Sequence, residues 1–314
     1  MRRILFFVDS EWAFGNIHNS LRKCLYPEYD CDLMCWSKVY TAETFKYLID
    51  KYDLFWSTPA GAFALHSSYG VPNEKLVGLA HHDFDISSPI EKARADQLNG
   101  YVGSPKHFAD LRGFAVVGKK LLTTSIAYGV SRLPTILPMG LHTREYVRPM
   151  STEVKRLGYF GRLERFDHRD FDSKRGRLAI AAAEKTGMTL YAPQFQKDIH
   201  YLATSQMYRD IDLLMFCSLQ EGQPCTAFEA LASGVPVLGT AAGVFDELAE
   251  FGGGGVLPYD ENAFLEQAVE VIQALQADHT LYAKMHFAAV ETSRNFDWAV
   301  LKPTWLEYLD GLFA

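Results

Sequence analysis

The chain has 314 residues, room for two domains of ordinary size, and its 48% hydrophobic and 22% charged residues suit a globular protein rather than a disordered one. A formal net charge of −7 argues against a general nucleic-acid binder, because such domains are usually basic. No stretch approaches the roughly 18 apolar residues of a membrane span, and the five cysteines, an odd number without zinc spacing, read as reduced thiols of a cytoplasmic protein.

Residues 4–8 (Ile-Leu-Phe-Phe-Val) are predicted to form a first buried strand. The run is too short for a signal-peptide core, and Asp9 and Glu11 interrupt it, so no leader is expected. Gly15 follows at the strand-to-helix turn, where a glycine lets a ligand approach the backbone, although there is no G-x-G-x-x-G fingerprint. A helix is expected through Ile17, Leu21 and Leu25. Residues 29–40 read as irregular, 42–51 as a helix, and 53–57 as a strand broken by Pro59 and Gly61. Residues 76–80 form another strand, which ends at His81-His82-Asp83. Histidines at the carboxyl end of a parallel strand are well placed for a cleft; a loop histidine with a structural hydrogen bond is the simpler alternative. His81, His82, Asp83 and Asp85 have the residue types of a metal site but no recognised ligand spacing, so no metal is expected. Residues 88–99 read as a charged helix and 100–104 as a short strand.

The stretch 106–165 is locally basic. Lys106, Arg112, Lys119, Lys120, Arg132, Arg144, Arg148, Lys155, Arg156, Arg162 and Arg165 face only Asp110, Glu145, Glu153 and Glu164. It is a candidate for peripheral contact with anionic lipid or a phosphate-bearing acceptor. The competing reading is a solvated face plus residues of a phosphate site. Residues 135–149 are punctuated by proline and glycine and precede a new strand-helix series, as a linker would. A second domain then starts at 157–163. Lys174-Arg175-Gly176 opens a helix at 178–185, strands are expected at 190–193 and 198–202, and a short helix at 205–209.

The centre of the chain is residues 218–240, SLQEGQPCTAFEALASGVPVLGT. The apolar run 211–216 before it suits a buried parallel strand, Gly222 and Pro224 mark a turn, and Phe228, Leu231 and Ala232 have helical spacing. Gly234 sits where a C-cap glycine ends a helix, and 235–238 restart a strand. This βαβ unit places Glu221 in the loop beyond a strand and Glu229 eight residues on, inside the helix. Ligands of parallel sheets bind beyond the carboxyl ends of the strands, and the helix start near Cys225 and Thr226 offers N–H groups to an anion such as a diphosphate. Backbone N–H groups at 241–244, around Gly243, end the next strand on the same side. Residues 252–255 read as a flexible glycine turn, 263–275 as an amphipathic core helix, and 296–312 as a final aromatic-rich helix.

The order EGQPCTAFEALASGVPVLGT, with Ala242-Gly243 and Glu247 beyond it, closely resembles the donor segment of the retaining GT-B glycosyltransferases of family four. The resemblance implies that Glu221 contacts hydroxyls of the transferred sugar and Glu229 the ribose of the nucleotide. It also implies that Arg162 and a second cation, Lys174 or Arg175, offset the diphosphate charge as the glycosidic bond breaks. In that family an H-D pair carries a histidine to the donor sugar; His82-Asp83 matches, with His81 as the fallback. The family's glycine pair is reduced here to Gly15, and Met139 stands where an Asn usually precedes the linker glycine. Such enzymes generally need no metal or other cofactor. The implied fold is α/β of GT-B architecture, two Rossmann-like domains with parallel sheets facing a central cleft.

The expected organisation is an acceptor domain over 1–149, a nucleotide-sugar donor domain over 150–291, and a helix over 292–314 crossing back to the first domain. The expected function is transfer of a sugar from a nucleotide-diphosphate sugar to a glycan, glycolipid or other hydroxyl acceptor with retention. A non-catalytic nucleotide-sugar-binding scaffold, or a GT-B epimerase or hydrolase, is the alternative.

Overall fold

The computed structural model describes residues 1–9, 13–82, 105–161, 173–193 and 204–314. The expected helix at 88–99 and the expected strands at 100–104 and 198–202 lie outside these residues, as do Asp83, Asp85 and Arg162. The chain forms two compact units, Met1–Gly140 with Trp298–Ala314, and Leu141–Asp297.

The first unit is a six-stranded parallel sheet of β1 (Arg2–Val8), β2 (Tyr29–Cys35), β3 (Leu54–Ser57), β4 (Leu76–Ala80), β5 (Gly113–Val116) and β6 (Thr135–Ile136), in the order β2-β1-β3-β4-β5-β6. Its helices are α1 (Ala13–Leu25), α2 (Ala42–Lys51), α3 (Pro59–Tyr69), α4 (Pro105–Asp110) and α5 (Lys119–Ala127). The alternation of β1 sorts its side chains. Ile4, Phe6 and Val8 join one core with Leu21 and Leu25 of α1, and Leu5 and Phe7 join another with Phe45 of α2 and Leu65 of α3. With both faces covered, the central strands β3 and β4 are buried throughout rather than alternating.

Residues 29–35 are a strand, not the irregular segment expected. Tyr29, Cys31 and Cys35 are buried and the acidic residues between them are half-buried. Asp30 and Asp32 mask the pattern because they are poor strand formers, yet both pair with Arg3 of β1. Pro59 does not only break β3; it opens α3, with Thr58 as the N-cap accepting from the Gly61 N–H.

The second unit holds β7 (Arg156–Gly158), β8 (Thr189–Tyr191), β9 (Leu213–Phe216), β10 (Val237–Thr240) and β11 (Gly254–Leu257), all parallel in the order β11-β10-β9-β7-β8. Its helices are α6 (Gly176–Thr186), α7 (Thr204–Met207), α8 (Cys225–Ala232), α9 (Phe245–Ala249), α10 (Glu261–Ala277) and α11 (His279–Arg294). Leu214 and Phe216 pack with Phe228 and Leu231 of α8, while Leu213 and Met215 pack with Leu178 of α6 and Phe264 of α10. Gly254 and Gly255, expected in a turn, are strand residues of β11 paired with Val237 and Leu238. A strand order in which the first strand lies between the second and the third reverses direction beside that first strand. The switch point of this sheet is therefore between β7 and β9, where ligands of doubly wound folds bind.

The last helix, α12 (Trp298–Phe313), belongs to the first unit. Its Trp298, Trp305 and Leu309 are core residues there, and Trp298 Nε1 donates to Ser20 Oγ of α1 at 2.8 Å. The units divide at Gly140, earlier than the expected 149, because 141–149 pack on the second sheet's side: the Leu141 N–H donates to the Phe296 carbonyl at 3.0 Å, and Thr143 binds Asp297 through its N–H and its hydroxyl. No helix among the described residues is long and apolar enough to cross a membrane.

Candidate functional site

The site of the second unit is assembled from loops that follow β7, β9 and β10. Two backbone-directed bonds fix the loop after β9: the Leu219 N–H donates to the Ser173 carbonyl at 2.9 Å, and the Thr240 hydroxyl donates to the Ser218 carbonyl. Residues 173–175 are thereby held beside Glu221, across the switch point.

Lys174 and Arg175 then take different places. The Lys174 amine pairs with the Glu221 carboxylate, both side chains still partly open at 24% and 16% exposure. Arg175 is buried, 1% exposed. Its Nε donates to the Cys217 carbonyl at 2.8 Å and its Nη1 to the Tyr259 carbonyl at 2.6 Å, with the guanidinium 5.5 Å from the Phe264 ring centre. Arg175 thus ties the loops after β9 and β11 to its own. Its φ of 48° is left-handed, a conformation costly for a side chain with a Cβ and kept only where the surroundings fix it. Of the two cations, Lys174 is the one paired with Glu221, and Arg175 is directed at the carbonyls of Cys217 and Tyr259.

Gly243 braces the loop after β10. Its φ is +64°, and a Cβ there would stand 2.0 Å from the Gly222 carbonyl oxygen, which accepts from the Val244 N–H at 2.9 Å. Gly243→Ala is expected to displace the Gly222 loop and weaken ligand binding more than tenfold while costing about 1–3 kcal/mol of stability. A thermal melt beside a binding isotherm separates the two effects.

Helix α8 starts at Cys225 after Pro224, and no side chain caps it. Its first-turn N–H groups therefore suit an anion. Cys225 and Thr226 are half-buried there. Glu229, one turn on, is also half-buried. Its Oε2 accepts from the Tyr208 hydroxyl at 2.7 Å, and the Tyr146 phenol is a second hydrogen-bond partner. Burial pushes the Glu229 carboxyl up to about 7, and the two phenols act in the opposite direction by favouring the charged form. Sequence reasoning missed both tyrosines. They come from the turn before β9 and from the end of the stretch read as the linker, which belongs to the second unit, and only the fold brings them to α8.

Gly15 and His82 belong to the first unit. Gly15 lies inside α1. Its N–H donates to Asp9 Oδ1 at 2.7 Å, and a Cβ would stand 1.7 Å from the Asp9 carbonyl oxygen, so this glycine lets α1 approach the end of β1. His82 is half-buried after β4. His81 is also half-buried, its ring 4.4 Å from Phe14 and 5.6 Å from His18, and desolvation lowers its pKa well below the usual value. Among the described residues no group of three or more His, Cys, Asp or Glu could hold a metal.

Two parallel-sheet α/β units of this kind define the GT-B glycosyltransferase fold. Within the second unit, residues 183–274 match the family model of the glycosyl transferases group 1, a stretch that includes Glu221, Glu229 and Gly243. Solved structures agree in fold. The Anabaena protein Alr3699/HepE in complex with UDP-glucose superposes with a TM-score of 0.72 at 16% identity, covering 99% of this chain and 100% of that one. Sucrose-phosphate synthase from Thermosynechococcus elongatus gives 0.71 at 13% identity, with 100% and 99% covered. The pneumococcal O-GlcNAc transferase GtfA, in complex with UDP and GlcNAc, gives 0.61 at 14%, with 88% of this chain and 62% of that one covered. No curated protein sequence matches the chain.

Proposed function

We propose that the protein is a glycosyltransferase that moves a sugar from a nucleoside-diphosphate sugar to a hydroxyl acceptor with retention of configuration. The observation that carries this reading is the pairing of Lys174 with Glu221 across the switch point of the second sheet, with Glu221 and Glu229 both inside the stretch that matches the glycosyl transferases group 1. The Anabaena neighbour's complexes with UDP and UDP-glucose make a uridine nucleotide the first donor to test.

In this reading Glu229 accepts from the ribose hydroxyls and Glu221 from the transferred sugar. Lys174 and the first turn of α8 take the diphosphate, whose charge grows as the glycosidic bond breaks. Protein cations rather than a metal balance that charge. Glu221 is already paired with Lys174, so donor entry exchanges this contact for one from Lys174 to phosphate and one from Glu221 to a sugar hydroxyl. The bond-making step places the acceptor on the face that the diphosphate leaves, where a departing phosphate oxygen takes the acceptor's proton. The roles of Arg162 and His82 rest on the resemblance alone.

Calorimetry with UDP, GDP, ADP and CMP on the wild type and on Glu229→Ala tests the reading. One diphosphate is expected to bind at micromolar Kd and to weaken by about 10- to 100-fold in the variant, the value of one or two hydrogen bonds to a charged group. A folded protein that binds none of the four would overturn it.

A further inference from the structure

We infer that Tyr208, with Tyr146 beside it, is a positioning residue that holds Glu229 as an oriented carboxylate and so sets the pH below which the nucleotide is released. Its functional consequence rests on the nucleotide-site reading above; the clamp itself is a property of the free protein.

Tyr208 is buried, 1% exposed. It follows α7 and is fixed by the edge-on ring of Phe160 at 5.0 Å, with Tyr146 at 6.2 Å. Its hydroxyl proton is held firmly, because burial and the adjacent Glu229 both raise its pKa well above the usual value. The O–H is therefore a donor, and Glu229 Oε2, 2.7 Å away, is its acceptor. Tyr146 adds a second bond from another segment. Among the described residues, the titratable groups that bear on the pair are these two phenols and, next to Tyr208, the Cys225 thiol at the start of α8.

A carboxylate offers about four lone-pair sites. Two are filled by the phenols, and two remain for the neighbouring hydroxyls of a ribose. A carboxylic acid would present a proton of its own to one of those hydroxyls and lose an acceptor site. Binding therefore selects the ionised form, and the phenols favour that form against the desolvation that disfavours it. The fixed direction of the Tyr208 bond also leaves the carboxylate a single orientation before the nucleotide arrives.

The test measures UDP binding by calorimetry from about pH 6 to pH 9 on wild type, Tyr208→Phe and Tyr146→Phe. Phenylalanine keeps the ring and removes only the donor. Losing one bond to a charged group raises the Glu229 pKa by about one unit, so Tyr208→Phe is expected to bind UDP roughly eightfold more weakly than wild type near pH 6.5 and within about twofold near pH 9. UDP's own ionisation is common to both proteins and cancels. Tyr146→Phe is expected to shift the profile in the same direction, and it decides the matter if Tyr208→Phe does not fold. A second arm uses no nucleotide: thermal melts of the free proteins against pH, with Glu229→Gln as the non-titrating reference. The wild-type difference from that reference should develop up to about pH 7, and the Tyr208→Phe difference should continue to develop about one unit higher. Superimposable profiles for wild type and the phenylalanine variants, in either arm, would overturn the clamp while leaving the nucleotide reading intact. Shifted melts in a protein that binds no UDP would uphold the clamp and count against that reading.

Discussion

Arg175→Ala is expected to lose about 3–5 kcal/mol of stability, whereas Lys174→Ala loses about 1 kcal/mol and most of the activity. The two residues are neighbours, and their surroundings decide the difference. Arg175 donates to the carbonyls of Cys217 and Tyr259 and is 1% exposed, so truncation takes the donor from one buried and one part-buried carbonyl and opens a cavity against Phe264. Arg175→Lys is no conservative replacement, since one ammonium cannot reproduce a planar fork directed at two loops. Lys174 pairs with Glu221 at a partly open position, where solvent reduces the value of an ion pair. Its removal takes a cation from the proposed diphosphate, for which a loss of about 10²–10³ in kcat is expected. Urea unfolding and steady-state turnover on the two variants check both halves. A stable Arg175→Ala protein without activity, beside an active Lys174→Ala protein, would move the phosphate role to Arg175.

The adjacency of these residues shows where sequence reading stops. Both were visible as cations after the first strand of the second unit, but the backbone decides which side chain faces the site, and a left-handed φ at an arginine has no signature in composition or periodicity. Elements with a clear apolar pattern were legible: the cores of β1, β4 and β9 are continuous runs, and the Glu221–Glu229 segment carries its own order of residues. Elements whose residues disguise them were not. β2 reads Tyr-Asp-Cys-Asp because its acidic residues answer Arg3 on the neighbouring strand, and β11 begins with glycines, beside the Phe245 ring. α11, over 279–294, escaped notice because its buried positions include His286, Thr292 and Ser293, polar types that do not mark a core face. Tyr208 was hidden for a simpler reason. It lies 21 residues before Glu229, and no local rule joins a turn before one strand to the helix after it.

Glu229→Gln is expected to make the protein more stable at pH 8 while costing it the nucleotide. In the native protein the Glu229 carboxyl titrates at about 7 against an ordinary 4.5, chiefly because it is desolvated. At pH 5 it is protonated in the folded state, and a neutral glutamine of the same shape should be nearly equivalent. As pH rises from about 4.5 to about 7, the unfolded chain gives up its proton first, and wild-type stability falls by up to about 3 kcal/mol, which a glutamine cannot lose. Glutamine keeps an oxygen for the Tyr208 hydroxyl but adds an amide that needs an acceptor, so about 1–3 kcal/mol of gain is expected at pH 8 and almost none at pH 5. The same change removes the charge and one acceptor site offered to the ribose hydroxyls, and UDP affinity should fall about 10- to 100-fold at pH 8. Thermal melts at the two pH values, with calorimetry at the higher one, test the pair of effects. A stability gain of equal size at both pH values would mean that the carboxyl does not titrate in this range. A gain confined to high pH with UDP binding intact would detach Glu229 from the nucleotide. Stability lost to a desolvated carboxylate together with affinity lost on its replacement is the result expected of a nucleotide ligand, whereas a purely structural Glu229 would show the first effect without the second.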